Sequence, residues 1–128
     1  VVNAALRRYL RNDSKMTHLK EEEMFDQSKP ILFAHRGGRA DAPENTLDAF
    51  SIAISKGVNG IESDVWLSSD GVPILSHNNA VGSLGRRKKI SKTLCSRLPE
   101  GVPSFEKFYE NFGPNLEVSL DIKDPKAI

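Results

Sequence analysis

A parallel α/β fold is what this sequence predicts, and three observations predict it. Short apolar runs alternate with segments of helical spacing, in the order strand, helix, strand, helix, strand. The first run, Ile31-Leu32-Phe33-Ala34, is continuous rather than alternating, the pattern of a strand buried on both faces. Polar groups of catalytic type, His35, Glu62, Asp64 and His77, sit within or at the ends of these runs, where parallel α/β proteins gather their chemistry.

Pro30 marks the first strand's start, and the run delivers His35 at its C-terminal end. Gly37 and Gly38 open a loop that reaches Pro43. Asn45 or Thr46 is placed to cap a helix over Leu47–Lys56, with Leu47, Phe50 and Ile54 at helical spacing and Gly57 at its end. Val58–Leu67 reads as the second strand. Its period of two places Glu62 and Asp64 on the same face. Ser68-Ser69-Asp70-Gly71 signals a turn, and Val72-Pro73-Ile74-Leu75 a short strand arm leading to His77. The stretch from Val81 to Pro103 is expected to be irregular and basic. Ser104 is placed to cap a helix through Phe105, Phe108 and Tyr109, ended by Gly113-Pro114. Leu116–Ile122 reads as the third long strand, bringing Asp121 and Lys123 to one face. Residues 1–29 read as a helical extension or linker, and 30–128 as the domain proper.

The chain has 128 residues, 38% of them hydrophobic, and no apolar run approaches the ~20 residues of a membrane helix. Charged residues interrupt the N-terminal stretch early, so it is not a recognisable signal peptide. A net charge of +1, from 18 basic and 17 acidic residues, gives no general reason to expect nucleic acid or an anionic membrane surface as a partner. Cys95 is the only cysteine, which excludes an internal disulfide and a multi-cysteine metal site, and it is left outside the chemistry.

His35 and His77 are suited to divide proton acceptance from proton donation, because imidazole titrates nearest neutral pH. Two carboxylates one residue apart, Glu62 and Asp64, can begin a site for a hard cation. Arg36 offers a planar fork that suits phosphate, and Lys123 a compact positive charge. Arg86-Arg87-Lys88-Lys89 reads first as a solvated loop; a mouth that attracts phosphodiesters and a contact with anionic lipid are the alternatives.

His35-Arg36-Gly37, Pro43-Glu44-Asn45-Thr46, Glu62-Ser63-Asp64 and His77 together resemble the N-terminal signature of the glycerophosphodiester phosphodiesterase family, over Ile31 to about Pro125. The resemblance implies a (β/α)₈ barrel of TIM type, of which this chain holds about the first three units and is truncated before the rest, since such a barrel needs ~250 residues. It implies His35 and His77 as the acid–base pair. Glu62, Asp64 and Asp121 become ligands of Mg²⁺ or Ca²⁺, with Asp121-Ile122-Lys123 supplying the third. Glu44 falls at a family position near the metal and is read as an acceptor that orients Arg36 or a histidine; Asn45 caps the helix or holds the loop. Where the family often has His-Asp, this chain has His77-Asn78, which removes one acid that would orient the imidazole. The implied reaction is hydrolysis of a glycerophosphodiester to glycerol 3-phosphate and an alcohol. The expected partner is a small-molecule phosphodiester, with a lipid surface left open. The rival readings are a lysophospholipase D or sphingomyelinase D-like enzyme, and a non-catalytic binding protein on the same fold.

Overall fold

A computed structural model describes residues 30–127. The expected N-terminal helical extension lies outside the described residues. Strand β1 (Phe33–His35) is followed by helix α1 (Leu47–Ser55), strand β2 (Gly60–Leu67) and the short β3 (Pro73–Leu75). A hairpin of β4 (Ala80–Val81) and β5 (Lys88–Lys89) comes next, then helix α2 (Phe105–Phe112) and strand β6 (Glu117–Ile122). Strand β2 is the centre of the sheet. It pairs in parallel with β1 along one edge, Phe33 against Gly60 to His35 against Glu62. Along its other edge it pairs in parallel with β6, Gly60 against Glu117 to Val65 against Ile122.

Where β1 stops, β3 takes over the vacated edge in antiparallel sense, with Val65 opposite Leu75 and Leu67 opposite Pro73. The backbone shows the handover: the carbonyl of Glu62 accepts from Arg36 N at 2.8 Å, and that of Asp64, two residues on, accepts from Ser76 N at 2.9 Å. His77 is thereby delivered beside Asp64.

One face of the sheet carries the core. Ile61 and Val65 of β2 pack with Phe50 and Ala53 of α1, Leu75 of β3, and Phe105 and Phe108 of α2. Phe50 and Phe108 meet edge to face at 5.3 Å between ring centroids, a geometry that adds to area burial. Thr46, not Asn45, caps α1: its Oγ1 accepts from Ala49 N at 3.2 Å. Ser104 caps α2 through Lys107 N at 3.1 Å, and Gly113, at φ +68°, ends it in a conformation L-residues disfavour. A second cluster, Ile74, Val81 and Ile90, lies under the 81–103 stretch.

Two expectations are corrected. Ile31–Ala34 is not buried on both faces: Leu32 is 61% exposed and Ile31 and Phe33 are each 44% exposed. Among the described residues only β2 pairs with β1. The 81–103 stretch is not wholly irregular, since it holds the β4–β5 hairpin and two short 3₁₀ turns, Ile90–Lys92 and Cys95–Arg97. Among the described residues no helix is long and apolar enough to cross a membrane.

Candidate active site

Register and period two place His35, Glu62 and Ser119 in one row across the sheet, and Asp64 and Asp121 in the next. These side chains share the face opposite the core. Toward the C-terminal ends of the strands this face meets the loop after β1 and the segment after β3.

Asp64 is the hub. Its side chain is only 2% exposed, and four groups from four parts of the chain converge on it. Arg36 Nε lies 3.1 Å from Oδ2, His77 Nδ1 3.3 Å from Oδ1, Lys123 Nζ 3.4 Å from Oδ1, and Asn45 Nδ2 donates to Oδ2 at 3.4 Å. Burial pushes the Asp64 carboxyl upward, but His77, Asn45, Arg36 and Lys123 together outweigh it and hold the group below its usual range.

Backbone strain marks the same place. Arg36 and Asn45 are the two non-glycine residues at positive φ among the described residues, +52° and +56°, and both reach Asp64. Their backbones are tied together, Asn45 N donating to the Arg36 carbonyl at 2.9 Å. Gly37 follows at φ +76°. A Cβ there would stand 2.8 Å from Phe50 Cδ1 and 3.0 Å from Ala49, so the loop passes over α1 only because the residue is glycine.

Arg36 is largely buried, and each arm of its fork has a neighbour. Nη1 donates to Glu44 Oε1 at 3.3 Å, and Nη2 lies 3.5 Å from His77 Nε2. Arg39 Nε also lies 3.1 Å from Glu44 Oε2 as an ion pair. A proton on His77 Nδ1 suits Asp64 and leaves the Nε2 lone pair toward Arg36. Trp66 Nε1 donates to the His77 carbonyl at 3.3 Å and fixes the backbone there. Asp64 is the acid that contacts the His77 ring, while Asn78 is exposed and its carbonyl accepts from Ser76 Oγ.

His35 is 66% exposed, with Nε2 at 3.5 Å from Glu62 Oε2. Lys123 bridges Asp64 and Asp121, bonding Asp121 Oδ2 at 2.5 Å, and its ammonium is held in the charged form first by that bond and then by Asp64. Sequence reasoning missed Ser63, whose Oγ donates to Asn45 Oδ1 at 2.7 Å and so aims the Asn45 amide at Asp64. The signal was a lone hydroxyl between Ile61 and Val65 on the strand's apolar face.

The carboxylates favour a divalent cation by their charge and not by their present spacing. Glu62 Oε2 is buried and makes no hydrogen bond, although His35 Nε2 lies 3.5 Å away; Glu44 Oε2 and Arg36 Nε are likewise buried without one. Glu44, Glu62, Asp64 and Asp121 face Arg36, Arg39 and Lys123, four carboxylates against three permanent cations. Such a balance would repel an anionic substrate unless further positive charge were present. As they stand, no three His, Cys, Asp or Glu side chains among the described residues converge closely enough to hold an ion. The Lys123 ammonium occupies the space between Asp64 and Asp121.

Fold and site together define a mixed α/β protein with a cluster of charged side chains and an imidazole over its strand ends. The Glycerophosphoryl diester phosphodiesterase family model matches residues 35–126, and the chain belongs to that family. It is 56% identical over 48 residues to Glycerophosphodiester phosphodiesterase 1 of Rattus norvegicus, a match covering 38% of this chain and 14% of that protein. A Glycerophosphodiester phosphodiesterase of Bacillus altitudinis is 34% identical over 95 residues, covering 71% of this chain and 39% of the relative.

Among solved structures, the glycerophosphodiester phosphodiesterase of Thermotoga maritima matches with TM-score 0.69 and 34% identity, over 77% of this chain and 46% of that one. An Oleispira antarctica phosphodiesterase, solved with its product sn-glycerol-3-phosphate, matches with TM-score 0.67 and 26% identity, over 78% and 47%. The chain thus spans less than half the length of the relatives it matches.

Proposed function

We propose that the protein hydrolyses glycerophosphodiesters to glycerol 3-phosphate and an alcohol, on a (β/α)₈ barrel to which these residues contribute the first three β/α units. The observation that carries the reading is His77 held between Asp64 and Arg36 at the strand ends, in a chain of this family. The product bound to the Oleispira antarctica relative supports the substrate class.

In this reading His77 Nε2 takes the proton from the attacking oxygen, either water or the glycerol hydroxyl beside the phosphate; attack by the hydroxyl leaves a cyclic phosphate, which water then opens to glycerol 3-phosphate. Asp64 fixes the ring and stabilises the imidazolium that forms. The bond from phosphorus to the alcohol oxygen then breaks, and His35, open to solvent, returns a proton to the departing alkoxide. Arg36 and Lys123 supply positive charge to the phosphate oxygens. Glu62, Asp64 and Asp121 would hold Mg²⁺ or Ca²⁺, which when bound neutralises charge on the phosphodiester. Glu44 and Asn45 keep Arg36 and Asp64 in place.

The test uses full-length protein and glycerophosphocholine, after chelation and after adding back Mg²⁺ or Ca²⁺. Release of glycerol 3-phosphate is expected to depend on the cation and to fall about 10²-fold or more in His77→Ala and in His35→Ala. Full rates in the chelated protein, or in either folded variant, would refute the proposal. Turnover confined to lysophosphatidylcholine would transfer the chemistry to a lipid substrate.

A further inference from the structure

The β4–β5 hairpin has features that hydrolysis of a phosphodiester does not use. At its base, Val81 and Ile90 are buried with Ile74, and Ile90 N donates to the Asn79 carbonyl at 2.8 Å. At its tip, Arg86 N closes a turn onto the Ser83 carbonyl at 3.0 Å, with Gly85 at φ +83° in the position a type II turn reserves for glycine. That turn holds Leu84 out in solvent, 98% exposed, although an apolar cluster lies under the same hairpin. An exposed leucine alone is ordinary; one fixed at the apex of a rooted hairpin and followed by four cations is not.

Residues 79–103 carry Arg86, Arg87, Lys88, Lys89, Lys92 and Arg97 against Glu100 alone. That leaves the segment at +5 in a chain of net +1, so the other residues sum to −4. Among the described residues none of these six cations has a carboxylate within ion-pair distance. Arg86, Arg87, Lys88 and Lys89 are all exposed, and Arg87 and Lys88 donate to the carbonyls of Ala80 and Arg97 at 3.1 and 2.7 Å. An apolar apex flanked by unpaired cations is the chemistry of a surface that meets anionic headgroups with acyl chains beneath them. A folded acidic protein or a nucleic acid would match the charge and leave Leu84 unexplained.

We propose that the β4–β5 hairpin docks the protein on an anionic lipid surface, with Leu84 at the boundary of headgroups and acyl chains and Arg86 and Lys89 on lipid phosphates. Val81, Gly82 and Arg87 also line a cavity of about 200 Å³ with Glu44, Asn45 and His77. A docked hairpin therefore brings the lipid surface to the mouth of the candidate active site. The docking does not depend on the proposed reaction, since it is read as binding and not as turnover.

The experiment is co-sedimentation of full-length protein with phosphatidylcholine vesicles, with and without about 30 mol% phosphatidylserine, at about 0.1 M salt. Binding is expected only with phosphatidylserine. It should fall about tenfold or more in Leu84→Ser and roughly 30-fold in the double variant Arg86→Gln, Lys89→Gln. Circular dichroism and turnover of a water-soluble glycerophosphodiester should be unchanged in these variants, showing intact folds. Equal sedimentation with both vesicle types, none with either, or full binding by the folded variants would overturn the proposal. So would retention on an acidic polymer without vesicle binding, which would assign the hairpin to a soluble polyanion.

Discussion

Replacing Asp64 by Asn keeps the shape of the side chain and removes the charge on which Arg36, His77 and Lys123 converge. Lys123 keeps Asp121 in an exposed pair, so it contributes little to the loss. Arg36 is the costly partner, because it is largely buried and retains only Glu44 as a carboxylate. Stranding one member of a buried pair costs about 3–5 kcal/mol, and relief of carboxylate desolvation offsets part of that, leaving roughly 2–3 kcal/mol at neutral pH.

For a domain of family size this corresponds to a melting temperature lower by roughly 4–12 °C. The measurement is thermal unfolding by circular dichroism, in chelator so that bound metal does not contribute. The pH dependence gives a second check. Asp64 is depressed below its ordinary value of 3.8 in the folded state, so the stability it contributes is present above that value and lost as pH falls through the folded one. The gap between wild type and Asp64→Asn should therefore be full near pH 7 and close as the pH falls below about 4. A gap that persists undiminished to about pH 3, or no gap at pH 7, would refute the argument that charge on Asp64 holds this site together.

Three further outcomes are expected. Gly37→Ala forces a side chain at φ +76° into Phe50 and Ala49 and should lower stability by about 1–3 kcal/mol in chemical denaturation. Phe108→Ala removes the ring that meets Phe50, Phe105 and Phe112 in the fully buried core, and a loss of about 3–5 kcal/mol in the same assay is expected. Burial, then Asp70 and Glu106, raise the Cys95 thiol above its ordinary value, so Cys95 should react with a thiol reagent at neutral pH more slowly than free cysteine, accelerating only in alkali.

The regular elements were legible because their signals are local. Period two and the flanking turn signals bounded β2 and β6 to within two residues, and Thr46, Ser104, Gly57 and Gly113 bounded the helices. The β4–β5 hairpin was not legible, because two-residue strands have no period to read and stand on tertiary contacts at Asn79 and Ile90.

At the candidate site, the spacing of His35, Glu62, Asp64 and His77 brought forward residues that the fold sets in two contacting pairs, but not how each is engaged. Glu62 and Asp64 look alike in sequence. In the fold, Asp64 is consumed by two cations, an imidazole and an amide, while Glu62 has His35 alone within ion-pair distance among the described residues. The difference is made by Arg36 and Asn45 turning back at positive φ, a conformation that asparagine tolerates and arginine does not announce. Ser63 escaped notice for the converse reason: strand alternation assigns it to the core side, and only the loop's return places Asn45 within its reach.

The most direct measurement is ³¹P NMR of full-length, cation-loaded protein turning over glycerophosphocholine, beside His77→Ala. The account predicts conversion of the phosphodiester signal to that of glycerol 3-phosphate, and its near-absence in the variant. Phosphocholine as the product, or undiminished conversion by a folded His77→Ala protein, would contradict it.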